Sequence, residues 1–120
     1  SEDIKLLSKV LETLAFECSG KIATIEINHE IYNPDIATDS FVQYPRYIYG
    51  VEVAMMFKGV EKNVTRVSMR SRCLDVSKVA LSFGGGGHKR AAGCTIYKNM
   101  TEEKEIMLTA IADEMGNCNG

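Results

Sequence analysis

Apolar positions recur along this chain with two periods, and the changes of period mark its elements. Between residues 3 and 16, Ile4, Leu7, Val10, Leu11 and Leu14 fall at helical spacing, with Glu2, Asp3, Lys5, Lys9 and Glu12 off that face. The spacing predicts an amphipathic helix, with Gly20 as a breaker shortly after it. From Lys21 to Asn28 the period drops to two: Ala23, Ile25 and Ile27 alternate with Thr24, Glu26 and Asn28. That alternation predicts a strand.

The stretch from Tyr32 to Tyr49 is mixed. Asn33-Pro34-Asp35 predicts a turn, and Thr38 to Tyr44 a short helix ahead of Pro45. Val51 to Phe57 is a β-rich apolar run, the pattern of a buried strand. A turn over 59–63 and renewed alternation from Val64 to Cys73 predict a hairpin. Asp75 is placed to cap a short helix through Val76, Val79, Ala80 and Phe83. Cys94 to Tyr97 predicts a last strand. Thr101, followed by Glu102 and Glu103, predicts a final helix carrying Ile106, Met107, Ala110, Ile111 and Met115. No linker, repeat or low-complexity tract divides the chain. The expectation is one α/β domain over residues 1–120, with a mixed sheet of four to five strands flanked by helices.

Composition adds limits. The 120 residues are 45% apolar and 25% charged, an ordinary globular balance with room for one core. Fourteen Lys and Arg against sixteen Asp and Glu leave a net charge of -2. A dedicated duplex-DNA binder is usually strongly basic, so an anionic ligand must be met by a local patch. No apolar run reaches the ~18 residues of a membrane span, and no signal peptide opens the chain. Cys18, Cys73, Cys94 and Cys118 form no CxxC pair, which argues against zinc. They are expected to be reduced thiols in a cytoplasmic protein.

The richest segment is Phe83-Gly84-Gly85-Gly86-Gly87-His88-Lys89-Arg90-Ala91-Ala92-Gly93. A plain turn needs one or two glycines. Four in a row leave the backbone unscreened and free to take positive φ, so successive N–H groups can converge into an anion-binding nest. A helix beginning at Lys89 to Ala92 would add its N-terminal dipole, and His88 at that mouth can donate to a phosphate oxygen. The spacing is neither a Walker A loop nor a dinucleotide fingerprint. Period two on the preceding strand puts Arg66, Ser68, Arg70 and Arg72 on one face. Such a face suits either salt bridges to Glu52 and its like or an anionic ligand. Arg70, nearest the glycine loop, has the bidentate fork that phosphate favours. His29 is expected at the surface. Tyr44, Tyr47 and Tyr49 flank Pro45 and Arg46; they suit base stacking or a packed loop edge, the packed edge being the plainer expectation.

Val67-Ser68-Met69-Arg70-Ser71, then Asp75-Val76-Ser77-Lys78-Val79-Ala80, then the GGGGHKRAAG run resemble the DHHA1 domain, the C-terminal substrate-binding domain of DHH phosphoesterases. Asp39-Ser40-Phe41-Val42 and Gly50-Val51-Glu52-Val53-Ala54 resemble its bacterial oligoribonuclease and pAp-phosphatase branch, often labelled exopolyphosphatase-related. The resemblance implies binding of short RNA or a small nucleotide such as pAp. It implies a partner N-terminal DHH domain in the same chain that holds two divalent metals, typically manganese, with no cofactor in the present domain. Residue by residue, it implies substrate contact by Arg70, Ser71, Gly84, Gly85, Gly86, Gly87 and His88, with Arg66, Arg72, Lys89 and Arg90 as accessory cations. Parity sets Ser71 on the strand face opposite Arg70. The helix within residues 1–18 is then the expected entry from the DHH domain, and Ser1 the cut edge of a larger protein. No catalytic residue is expected in this chain, which has no Asp-His-His motif and only two histidines. Lys58-Gly59 stands where relatives often carry an acidic residue. A homodimer is a further expectation. The rival readings are a non-catalytic RNA-binding module and a domain of a cyclic-dinucleotide phosphodiesterase.

Overall fold

A mixed sheet sorts the chain into layers. The computed structural model describes residues 1–116. Within them β1 (Ala15–Glu17), β2 (Ile22–Ile27), β3 (Val53–Glu61), β4 (Val64–Ser71), β5 (Gly86–His88) and β6 (Ala91–Ile96) lie in the order β1-β2-β3-β4-β6-β5. The β2–β3 pair is parallel and the others are antiparallel. Four helices complete the fold: α1 (Glu2–Leu11), α2 (Gln43–Arg46), α3 (Val76–Ser82) and α4 (Met100–Glu114). The expectation is four to five strands; the two beyond the four whose period the sequence shows are the three-residue edges β1 and β5.

Strand parity decides which residues meet. Val53, Met55 and Phe57 of β3, Val67 and Met69 of β4, and Ala92 and Cys94 of β6 point to one side. There they are buried against Val76, Val79 and Ala80 of α3 and Met107 and Ile111 of α4. On the other side Ala23, Ile25 and Ile27 of β2 and Ala54 and Met56 of β3 pack on Leu6 and Val10 of α1 and on Phe41, Val42 and Val51. Beyond β3 the second cover is only the edge of α2, which touches β4. The matching faces of β6 and β5 lie outside it.

Several boundaries differ from expectation. The first helix ends at Leu11, because the Thr13 hydroxyl donates to the Val10 carbonyl at 2.6 Å and accepts from the Glu26 N–H at 2.8 Å. This ties the helix end to β2. Its buried residues are Leu6 and Val10, while Ile4 is exposed. Residues 15–17 then pair with β2. Gly20, with φ +85°, completes the hairpin turn that follows. The expected 1–18 helix is therefore helix plus edge strand, and α1 belongs to this domain's own core. Pro45 lies inside α2, not after it. It fits in the first turn, where a missing N–H costs no helical bond. β3 runs through the expected turn to Glu61, with a bulge between Gly59 and Glu61. The caps at Asp75 and Asn99 accept from Ser77 and Glu102 N–H groups as helix N-caps do. The reduced-thiol expectation fails at Cys18, which is disulfide-bonded; Cys73 and Cys94 are free thiols, and Cys118 lies outside the described residues.

Two buried charges remain. Lys58 is 6% exposed and donates to the Thr38 hydroxyl at 3.1 Å, with its ammonium over the Tyr32 ring. It pins the crossover loop to the sheet, and burial lowers its pKa. Glu103 of α4 is fully buried, and among the described residues neither carboxylate oxygen has a hydrogen-bond partner. Burial pushes its pKa up to about 7, against the opposing pull of Lys98. The folded state thus holds a proton that the unfolded chain releases near pH 4.5. Stability is full below pH 4.5, falls as pH rises, and levels off above about 7. The loss is roughly 3 kcal/mol at about 1.4 kcal/mol per pKa unit. Chemical denaturation at pH 5 and pH 8 should show this decline in the wild type, and Glu103→Met should remove most of it. An equal decline in both proteins would assign it to other groups.

Candidate functional site

The open face is built by register. Ala54, Arg70, Ala91 and His88 form one row across β3, β4, β6 and β5; Met56, Ser68, Gly93 and Gly86 form the next; Lys58, Arg66 and Thr95 form a third. Opposed residues in an antiparallel pair share a face. Arg66 and His88 are exposed, and Ser68, Arg70, Gly86, Ala91, Gly93 and Thr95 are half-buried. Arg70 and His88, distant in sequence, are brought into one row with only Ala91 between them.

The glycine run has a different structure from the one expected. The Gly84 N–H donates to the Leu81 carbonyl at 3.0 Å and the Gly85 N–H to the Ala80 carbonyl at 2.8 Å. These two bonds close α3 in a Schellman cap, with Gly84 at φ +81°. Amides spent on the cap are not free for an anion, so the expected nest is absent over Gly84 and Gly85. Gly86 and Gly87 then enter β5. A Cβ at Gly85 would lie 2.1 Å from the Gly93 carbonyl oxygen, and one at Gly87 would lie 2.5 Å from that of Ala91. Three of the four glycines thus answer to the backbone. Gly86 alone combines a negative or extended φ with open space, no heavy atom lying within 4 Å of where its Cβ would be. On its row, the missing side chains of Gly86 and Gly93 leave a low floor beside Ser68.

Lys89 to Ala92 begin no helix. Lys89 and Arg90 are a two-residue turn joining β5 to β6, since His88 pairs with Ala91. The turn is laced down from outside: its Lys89 carbonyl accepts from the Val76 N–H at 2.9 Å, and its Arg90 carbonyl from the Ser71 N–H at 3.1 Å. Ser71 is buried, and its hydroxyl donates to the Leu74 carbonyl, with the Lys89 carbonyl at 3.4 Å. Ser71 accordingly sits on the closed side and positions the turn; the structure does not place it with Arg70 and His88.

The cations divide in the same way. One Arg70 Nη1 donor goes to the Met69 carbonyl at 2.9 Å, one of the five a guanidinium has. Arg90 donates to the Leu74 carbonyl at 3.1 Å, and Arg72 stands 3.9 Å from Glu52. Lys89 is exposed at the turn. Cys94, beneath the face, has its pKa raised to about 11 by burial and then by Glu103, which leaves an inert thiol. His29 is exposed, and its backbone N lies 2.9 Å from where a Gly59 Cβ would be. Where β5 stops and β6 continues, a cleft of about 520 Å³ opens, lined by Arg66, Ser68, Gly84, Gly85, Thr95 and Tyr97 among others. Ser68, Gly93, Thr95 and Tyr97 were absent from the sequence-derived site. Parity on β4 already put Ser68 beside Arg70, but only the β4–β6 register reveals the others.

Space around the glycines sets a test. Gly85→Ala should destabilise the domain by about 1–3 kcal/mol or more, as overpacking does, whereas Gly86→Ala should stay within about 1 kcal/mol. Urea melts of both variants check this. Equal losses would show that Gly86 is also held by the backbone.

Residues 7–117 match the DHHA1 domain. Over 113 residues the chain is 33% identical to the bifunctional oligoribonuclease and PAP phosphatase NrnA of Thermus thermophilus, a match covering 92% of this chain and 34% of that protein. The chain therefore spans about a third of the length of that relative. An exopolyphosphatase-related protein from Bacteroides fragilis superposes with a TM-score of 0.82 at 24% identity, over 94% of this chain and 35% of that one. The pGpG-specific phosphodiesterase PggH of Vibrio cholerae superposes with a TM-score of 0.62 at 14% identity, over 92% and 39%. These two likenesses are of fold. With nearly the whole chain matched and the glycine hairpin in place beside Arg70, this chain belongs to the DHHA1 domain family.

Proposed function

We propose that this domain grips the nucleotide in a metal-dependent DHH-family phosphoesterase acting on short oligoribonucleotides or small nucleotides such as pAp. The observation that carries this reading is the Arg70–Ala91–His88 row on the half-open part of the sheet face, beyond the cover of α1. The Arg70 guanidinium supplies a planar pair of donors for phosphate oxygens. The His88 ring, exposed on the edge strand, supplies a third donor. The side-chain-free floor at Gly86 and Gly93 lets a sugar or phosphate approach the backbone. The name of the Thermus relative, an oligoribonuclease and PAP phosphatase, supports that substrate class.

Hydrolysis needs more than this chain offers. Among the described residues no group of three or more His, Cys, Asp or Glu side chains converges as a metal site. The residues here do not fit a two-manganese centre, and that chemistry is assigned to a partner DHH domain in the same polypeptide. Among the described residues no helix is long and apolar enough to cross a membrane. A cytoplasmic setting belongs to the same proposal, on the strength of the substrate class.

Calorimetric titration of the 120-residue chain with pAp or a ribodinucleotide tests the reading. Arg70→Ala and His88→Ala should each weaken binding by about 1–3 kcal/mol, the worth of a charge-assisted hydrogen bond. Lys78→Ala, on α3, should leave it unchanged. Unaltered affinity in both site variants would reject their roles. With Mn²⁺ added, the chain alone should not hydrolyse the dinucleotide; turnover that survives His88→Ala would contradict the division of labour.

A further inference from the structure

A second groove lies at the end of the sheet where β4 leaves off. It has a volume of about 750 Å³ and is lined by Lys21, Arg46, Tyr47, Tyr49, Glu52 and Arg72 among others. Tyr47 is 77% exposed and Tyr49 102% exposed. The packed loop edge expected for these rings is therefore absent, and two aromatic faces stand in solvent beside three cations. The single carboxylate in the groove is already engaged. One Glu52 oxygen accepts from the Cys73 and Leu74 N–H groups at 2.6 and 2.9 Å, and the other faces Arg72 at 3.9 Å. Among the described residues, Lys21 and Arg46 have no carboxylate within ion-pair distance. The groove is aromatic and cationic, the chemistry that single-stranded nucleic acid meets with its bases and phosphates.

Its position extends the argument. Arg66 and Ser68 of β4 line the first cleft, Arg70 follows, and Arg72, just past the end of β4, lines this groove. Successive residues of one strand face are about 7 Å apart, so this polar track runs about 20 Å. That exceeds what one nucleotide occupies. The Arg72 N–H donates to the Glu52 carbonyl at 2.9 Å, so the groove continues the Arg70–Ala54 pairing without a break.

We propose that the Tyr47–Tyr49 groove is a second nucleotide subsite, which stacks the bases of a single-stranded RNA beyond the nucleotide held at Arg70 and His88. The proposal rests on the function proposed above. It makes the domain a reader of short RNA length: an oligonucleotide long enough to reach the tyrosines binds more tightly than a dinucleotide. The sequence contains no tryptophan, so stacking on these rings is reported directly by quenching of tyrosine fluorescence.

The experiment compares a ribodinucleotide with a ribopentanucleotide on the wild type, the double variant Tyr47→Ala/Tyr49→Ala, and Arg70→Ala. The wild type should bind the pentamer about tenfold or more tightly than the dimer, since one stacked base is worth roughly that factor, and should show quenching with the pentamer. The double variant should bind the dimer as the wild type does and lose the gain on the pentamer. Both rings are exposed, so their removal leaves the core untouched. A pentamer that gains nothing, or a gain that survives the double variant, overturns the second subsite; this includes the case in which the groove is a docking face for another protein domain. If dimer binding then still depends on Arg70, the proposed function stands without the subsite. If neither RNA binds, both fail together.

Discussion

The antiparallel pairing of β4 with β6 is the constraint on which the rest depends. It sets Arg70 opposite Ala91 and Ser68 opposite Gly93, and β5 then adds His88 and Gly86 to the same rows. The pairing is tight enough that small residues are obligatory. A Cβ at Gly93 would lie 2.6 Å from the Val67 carbonyl oxygen, and Gly85 and Gly87 are held as closely against β6. The glycine run is thus first a packing solution. The ligand-binding use proposed for it follows from what that packing leaves bare.

The two faces of the sheet divide the work. One face is closed by α3 and α4 and holds the larger core. The other is closed by α1 and the crossover loop over β2 and β3, with α2 just reaching β4. The net charge of -2 conceals a matching division. Acidic side chains Glu102, Glu105, Asp113 and Glu114 sit on α4, on the closed side, while Arg66, Arg70, His88 and the Lys89–Arg90 turn belong to the open side or its rim. A weakly acidic protein can therefore present a basic surface to a phosphate, because the field at a site depends on nearby charges more than on the total.

The sequence made the long elements legible because their apolar periods are strong. β2, the β3–β4 hairpin, the Asp75-capped helix and the last helix all follow from spacing and caps. The short edges did not show, since three residues carry no period. Residues 12–16 looked like helix because Leu14 continued the spacing; a tertiary bond from Glu26 to the Thr13 hydroxyl decided otherwise. The candidate site was half legible. Arg70 and His88 stood out by chemistry, and parity correctly separated Ser71 from Arg70. The glycine run suggested an anion nest because glycine permits that conformation. Permission is not use: the first two amides were taken by the end of α3, a competition visible only in three dimensions. The exposure of Tyr47 and Tyr49 was equally hidden, as the sequence does not say which loop side chains find cover.

The central claim is that nucleotide binds on the open half of the sheet. Amide chemical-shift mapping of the isotopically labelled chain, titrated with a ribodinucleotide, tests it most directly. The account predicts that the largest shifts fall on Arg70, Gly86, Gly87, His88 and Gly93, with α4 unaffected. Shifts concentrated on α3 and α4, or no shifts on the β4–β6–β5 rows at saturating ligand, would contradict it.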